Sequence, residues 1–321
     1  MADPQNKQQR LQAHLTRVLQ EMQQAQQGTK SRQDLIRQIE NLDAAKPRRL
    51  LLYIANPGNP ASAVNAGDTV PLGDALAAMG KVENLDLVVH TFGGSGETAE
   101  KIVEMCRNHC QGEFRVVVPN MAKSAGTLIA LGADRIVMGY CSELGPIDPQ
   151  IPIVVGNTPQ HVSAWTFIHT RDVLVEEVND ASAKKQNASA YLQQLAAVDP
   201  VFVTHCEQLM TFAKQVGSKW IVCRLKGKGV NAKQAGRQAA TVVKFLSNVE
   251  AHITHGRLIS VAELKKHCEP ALSVVELQES EPHWQLLWEL YVRSEVFLKM
   301  AHQGKPAAKL IETGDVSIIL N

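Results

Sequence analysis

The chain has little of what would announce a charged or extended partner. Aromatic residues make up 5% of its 321 positions, too few for a base-stacking surface, and the net charge is only +1. With a pI near 7.7, no electrostatic footprint for nucleic acid stands out. No apolar run approaches the roughly 18 residues of a membrane-spanning helix. The start, Met1-Ala2-Asp3-Pro4-Gln5-Asn6-Lys7, does not follow the charged-then-apolar plan of a secretory leader. Six cysteines are scattered without the spacing of a disulfide framework, so a cytoplasmic location is expected. Without secretion, the glycosylation match at Asn187-Ala188-Ser189 carries no meaning. Gly227-Lys228-Gly229 falls short of a phosphate loop, so no ATPase machinery is visible. Cys106, His109 and Cys110 share a helix, but no second ligand pair completes a zinc site. No metal or cofactor is expected.

What remains is ordinary globular composition, 45% hydrophobic and 20% charged. Residues 1–47 are Gln-rich, with Leu11, Leu15, Val18, Leu19 and Met22 at one-sided helical spacing and a second short helix over 31–42. They read as a helical extension. From Arg49 the texture changes: short, continuously apolar runs at 50–55, 85–91, 114–118 and 135–138 alternate with helical patterns at 72–79, 97–110 and 124–131. That alternation predicts an α/β fold whose parallel sheet is covered on both faces. Beyond Gln150 the pattern predicts strands at 151–155 and 163–168, and helices at 173–185, 188–197 and 200–216. A short apolar segment at 221–223, a helix at 231–246, a capping box at Ser260, a strand at 274–277, a helix at 284–300 and a hairpin over 309–320 follow. The expected domains are a helical extension (1–47), the sheet core (48–278) and a C-terminal helix with a hairpin (279–321).

Two runs about thirty residues apart carry chemistry. In Leu87-Val88-Val89-His90-Thr91-Phe92-Gly93-Gly94-Ser95-Gly96 an apolar strand meets paired glycines and then a helix. In Met121-Ala122-Lys123-Ser124-Ala125-Gly126-Thr127 a hydroxyl stands among small residues where a helix begins. Small residues also let a helix sit tightly on a sheet, and a glycine pair often just closes a strand. The two runs in this order suit acyl transfer: Ser124 as nucleophile, with Gly93 or Gly94 and Ala125 presenting amides to an oxyanion.

With Ala133-Asp134-Arg135-Ile136-Val137-Met138 and Leu144-Gly145-Pro146-Ile147-Asp148-Pro149-Gln150 added, the sequence resembles the serine dehydrogenase proteinase family. These are Clp-fold serine peptidases related to Clp peptidase, signal peptide peptidase A and, more distantly, crotonases. The likeness is strongest over residues 85–152, weaker to about 277, and absent from the N-terminal extension and the last forty or so residues. It implies a Clp/crotonase-like parallel-sheet core and a serine endopeptidase acting on peptides or unfolded segments without ATP. It makes Ser124 the nucleophile, gives Gly93 and Ala125 the oxyanion amides, and leads to an expected homo-oligomer. Relatives usually read Pro where this chain has Phe92.

The base is left open. Clp peptidases place a histidine after the nucleophile helix, where this chain reads Leu144-Gly145-Pro146-Ile147-Asp148; some relatives use lysine. Candidates are His169, Lys184 or Lys185, and Asp148, which could orient a base or act as one if desolvated. A crotonase-like acyl-CoA enzyme and a catalytically silent scaffold are the alternatives. The dehydrogenase in the family name finds no dinucleotide fingerprint here.

Overall fold

The structure is a computed structural model and describes residues 28–43, 45–302 and 305–321. The helical pattern at Leu11 to Met22 lies outside the described residues. The chain forms two compact units, Met1–Leu144 with Leu258–Asn321, and Gly145–Arg257. The C-terminal strands are built into the first unit's sheet.

In chain order, unit 1 opens with α1 (Gly28–Glu40), β1 (Arg49–Ala55), α2 (Thr69–Met79), β2 (Leu85–His90), α3 (Gly96–His109), β3 (Phe114–Val118), α4 (Ala125–Leu131) and β4 (Arg135–Gly139). Unit 2 contains β5 (Gln150–Val155), β6 (Thr158–Ser163), α5 (Ala164–Ala183), α6 (Ser189–Ala196), α7 (Pro200–Gly227) and α8 (Ala232–Leu246). Unit 1 resumes with α9 (Val261–Cys268), β7 (Val274–Leu277), α10 (Pro282–Lys299), β8 (Lys309–Glu312) and β9 (Ser317–Leu320).

These strands of unit 1 form one sheet in the order β9-β8-β1-β2-β3-β4-β7, and shorter two-residue strands pair outside it. From β1 to β7 all pairs are parallel, and the β8–β9 hairpin adds an antiparallel edge. Strands buried on both faces must be apolar throughout, and Leu50 to Ala55 are all at most 1% exposed. Alternation divides their side chains between two layers. Leu50, Leu52, Ile54, Val88, Val117 and Val137 meet Leu35, Ile36 and Ile39 of α1 and Trp284, Leu287 and Tyr291 of α10. Contacts of α2, α3 and α4 with one another and with β3 and β8 belong to the opposite layer. The α/β class read from the sequence is the one observed.

In unit 2, β5 and β6 form an antiparallel hairpin across Gly156, whose φ of 62° needs glycine. Ile151, Ala164, Cys206 and Met210 form its apolar centre with Trp165, Phe167, Ile168 and Phe202. Two expectations are corrected here. The segment 163–168 is not a strand: α5 starts at Ala164, and the strand is the polar Thr158–Ser163 before it. A short apolar run fits either period, and its partners in the cluster decide. The apolar segment at 221–223 lies inside α7, a continuous helix whose N-terminus is capped by Asp199 accepting from the Val201 and Phe202 amides.

Candidate active site

Ser124 sits between a two-residue strand, Met121–Ala122, and the first turn of α4. The approach is zipped to the end of β2: the Thr91 N–H donates to the Met121 carbonyl at 3.0 Å, and the Lys123 N–H to the Thr91 carbonyl at 2.9 Å. The turn is tied by Gly126 N–H to Lys123 carbonyl, 2.7 Å, and by Thr127 Oγ1 donating to the Ala122 carbonyl, 2.8 Å. Ser124 is thereby held at φ 53°, ψ −113°. A non-glycine residue there stores about 1–3 kcal/mol, which persists only where the surroundings over-determine it. The strained serine at a strand-to-helix turn is half-buried, and its hydroxyl does not cap the helix. Gly126 must be glycine, since a Cβ there would lie 2.6 Å from Thr91 Cγ2.

The glycine pair comes against this turn. A Cβ on Gly93 would stand 2.6 Å from Ser124 Cβ and 3.2 Å from its Oγ, so the two sequence motifs meet at Ser124. Gly93 and Gly94 have φ of 115° and 144°, a region that favours glycine. Their peptide groups are distinguished by their partners. Gly93 donates its N–H to Thr91 Oγ1 at 3.1 Å, while its carbonyl accepts from the Val64 N–H at 2.8 Å. A planar trans peptide sends the next N–H the opposite way, so Gly94 N–H points away from Val64. Ala125, first in α4, has one of the amides for which a helix offers no internal acceptor.

Charge near this turn is compensated. Lys123 is 8% exposed and its Nζ lies 2.9 Å from Glu143 Oε1. His90, the last residue of β2, is fully buried against the Tyr291 ring, 4.9 Å between centroids. Among the described residues neither of its ring nitrogens finds a hydrogen-bond partner. Burial pushes its pKa down to about 4, against a smaller opposing effect from Glu295.

The other expected residues belong to unit 2. Asp148 is 2% exposed. Its Oδ1 lies 2.8 Å from His255 Nδ1, and its Oδ2 accepts from Gln150 Nε2 at 2.8 Å. A carboxylate on Nδ1 fixes the tautomer that leaves Nε2 as a proton acceptor. The His255 side chain remains 23% exposed. His169, by contrast, is exposed on α5 and stacked on Trp165 at 4.3 Å. Lys184 is exposed and paired with Asp180 at 3.1 Å, and Lys185 is exposed. His255 is not among the candidates read from the sequence. It lies 107 positions from Asp148, and no local spacing announces a pair so distant. The family-like Gly145 to Gln150 segment pointed to only one half of it.

Residues 14–163 match the model of a family described as ClpP-like SDH-type serine proteinase, the family expected from the motifs. Two curated relatives are uncharacterised proteins of Methanocaldococcus jannaschii. One is 46% identical over 77 residues, 24% of this chain and 27% of that protein. The other is 42% identical over 67 residues, 21% of this chain and 23% of that protein. The chain thus matches about a quarter of each relative's length. Among solved structures, it is similar to an alanine mutant of the 1510-N membrane-bound stomatin-specific protease, with TM-score 0.35 and 14% identity, covering 66% of this chain and 74% of that one. It is also similar to a mutant ClpP1 from Listeria monocytogenes, with TM-score 0.34 and 13% identity, covering 71% and 92%. Likenesses so distant carry no argument about individual residues. Among the described residues no helix is long and apolar enough to cross a membrane.

Proposed function

We propose that this chain, a ClpP-like SDH-type serine proteinase by its 14–163 segment, hydrolyses peptide bonds through an acyl-enzyme on Ser124. The observation that carries the reading is the held, positive-φ serine with Gly93 against its side chain. Ser124 Oγ adds to the scissile carbonyl carbon as its proton passes to a base, and the oxygen becomes an oxyanion. Collapse expels the amine, which takes that proton, and leaves the ester; water then attacks the ester and restores the serine.

We assign the oxyanion donors to the Gly94 and Ala125 amides, because the Gly93 N–H already serves Thr91 Oγ1. One such donor is worth about 2.7–4 kcal/mol of barrier. The proton acceptor is left unassigned; within unit 2, the one sequence candidate that meets a histidine is Asp148, whose Oδ1 lies 2.8 Å from His255 Nδ1. The expected substrates are extended or unfolded peptide segments, and the expected assembly is a homo-oligomer. Apolar side chains left open on the unit 2 helices, Leu192 at 50% and Val201 at 77% exposure, support assembly through that unit.

A fluorophosphonate probe tests the nucleophile. It should label Ser124 in the full chain, and Ser124→Ala should abolish labelling together with peptidase activity. Folded wild-type protein that resists the probe, or a Ser124→Ala variant that still turns over substrate, would sink the assignment. The second result would favour a thioester-processing enzyme that needs the amides and not the hydroxyl.

A further inference from the structure

We infer that the buried Asp68–Lys309 pair positions the Gly93–Gly94 segment, so that the C-terminal segment helps set how fast Ser124 is acylated; this rests on the peptidase reading above. The pair lies outside the family-matched segment on its lysine side. Both residues are 1% exposed. Asp68 Oδ1 accepts from Lys309 Nζ, and Oδ2 accepts from Tyr53 O–H at 2.7 Å and from the Asn65 N–H at 2.9 Å. The carboxylate is satisfied on both oxygens, and the loop residue it grips is the neighbour of Val64.

Val64 is the link to the site. It donates its N–H to the Gly93 carbonyl at 2.8 Å and accepts from the Ser95 N–H at 2.8 Å. Its backbone lies so close that a Cβ on Gly94 would meet the Val64 carbonyl oxygen at 2.3 Å. A peptide between two glycines turns easily, because neither flank carries a Cβ. The Val64 N–H holds the Gly93 carbonyl in place, and peptide planarity then dictates where the Gly94 N–H points.

Three more contacts from the same C-terminal stretch fix the start of this loop. Asn59 Nδ2 donates to the Pro306 carbonyl at 3.0 Å, and Asn56 Nδ2 to the Ala307 carbonyl at 3.0 Å. The Asn56 N–H donates to the Ala308 carbonyl at 2.8 Å. Four consecutive residues, 306–309, therefore hold the 56–68 loop, which in turn holds the glycine pair. A well-packed apolar pair would serve stability as well as a buried ion pair does. What the ion pair adds is one defined placement of the loop.

The test compares full-length wild type with Asp68→Asn, Lys309→Met, Lys309→Arg and the double variant Asp68→Asn/Lys309→Met, which leaves no unpaired buried charge. Fluorophosphonate kinact and KI, melting temperature, and hydrogen exchange over residues 91–96 and 114–118 are measured on each. The expected result is a kinact at least about tenfold lower for the folded Asn, Met and double variants, with KI within about twofold, since donors are misdirected while the pocket stays intact. Exchange should rise over 91–96 and not over 114–118, and Lys309→Arg should recover most of the rate. A folded double variant acylated at the wild-type rate, with unchanged exchange over 91–96, overturns the inference even if the single variants fail to fold. Failure of wild type to react with the probe removes the peptidase reading instead, and the exchange comparison then decides the clamp alone.

Discussion

The two ends of the parallel sheet in unit 1 are built on opposite principles. At the carboxyl ends of β2 and β3, strained or bare backbone dominates: Ser124, Gly93 and Gly94 all have positive φ. At the amino ends, side-chain charge is packed and satisfied. Arg48 Nε and Arg115 Nε both donate to Asp86 Oδ1, at 2.6 and 2.8 Å. Arg48 also reaches Glu113 Oε2 at 2.9 Å, and Arg135 reaches Glu113 Oε1 at 2.7 Å. The strands are equally apolar between these ends, so the sheet itself does not choose which end reacts. Open α/β sheets bind ligands beyond the carboxyl ends of their strands, and here that end carries the positive-φ serine and the glycine pair, while paired side-chain charges occupy the other. Strain collects where chemistry is proposed, and saturation where only stability is needed.

The largest effect that would sharpen this contrast is at the saturated end. Asp86 is 1% exposed, and Asp86→Asn would leave two mostly buried guanidiniums without their shared carboxylate. Breaking a buried pair from one side costs about 3–5 kcal/mol. Denaturant unfolding should report a loss of that order, while the folded variant reacts with the fluorophosphonate at the wild-type rate. A stable Asp86→Asn protein with slowed labelling would mean that the two ends are coupled, and the contrast would fail.

Much of this division was readable in the sequence. The apolar runs closed by Asn56-Pro57-Gly58, by Gly93-Gly94 and by Pro119-Asn120 marked the strands and their carboxyl ends, because burial on both faces and glycine's backbone freedom leave local traces. Ser124 was legible for the same reason. What could not be read were contacts between residues far apart in sequence: Asp68 with Lys309, 241 positions on, and Asp148 with His255. Asp148 was singled out by its motif, but no residue of either pair could be matched to its partner until the topology brought the two together. The hairpin at 309–320 was recognised as a hairpin, but nothing local told that β8 would pair with β1. The 163–168 segment misled because six apolar-rich residues satisfy either period.

His90 gives a somewhat smaller and pH-dependent effect, placed where β2 passes into the reactive end. Its folded-state pKa is pushed down to about 4 by burial, from 6.5. Between those values the unfolded chain binds a proton that the folded chain does not. Its contribution is therefore fully present above pH 6.5 and is lost as pH falls toward 4, amounting to about 3 kcal/mol in all. His90→Leu, of similar bulk and without ionisable nitrogens, should flatten that part of the stability–pH curve in chemical unfolding. An unchanged slope would mean that His90 titrates normally and that the reactive end is wetter than its packing implies.

Arg135 should give the smallest effect, and it asks whether burial or charge makes the amino end strong. Its guanidinium reaches Glu113 at 2.7 Å, yet its side chain is 53% exposed and that of Glu113 29%. Water screens such a pair, and ordering two long side chains offsets much of the attraction, so Arg135→Ala should cost about 0.2–1 kcal/mol. Asp86→Asn and Arg135→Ala each remove one charge from the same network, so the ratio of their effects in denaturant unfolding measures what burial contributes. Near-equal losses would show that charge number alone holds the amino end, and that its stability, unlike the geometry around Ser124, owes little to where each group sits.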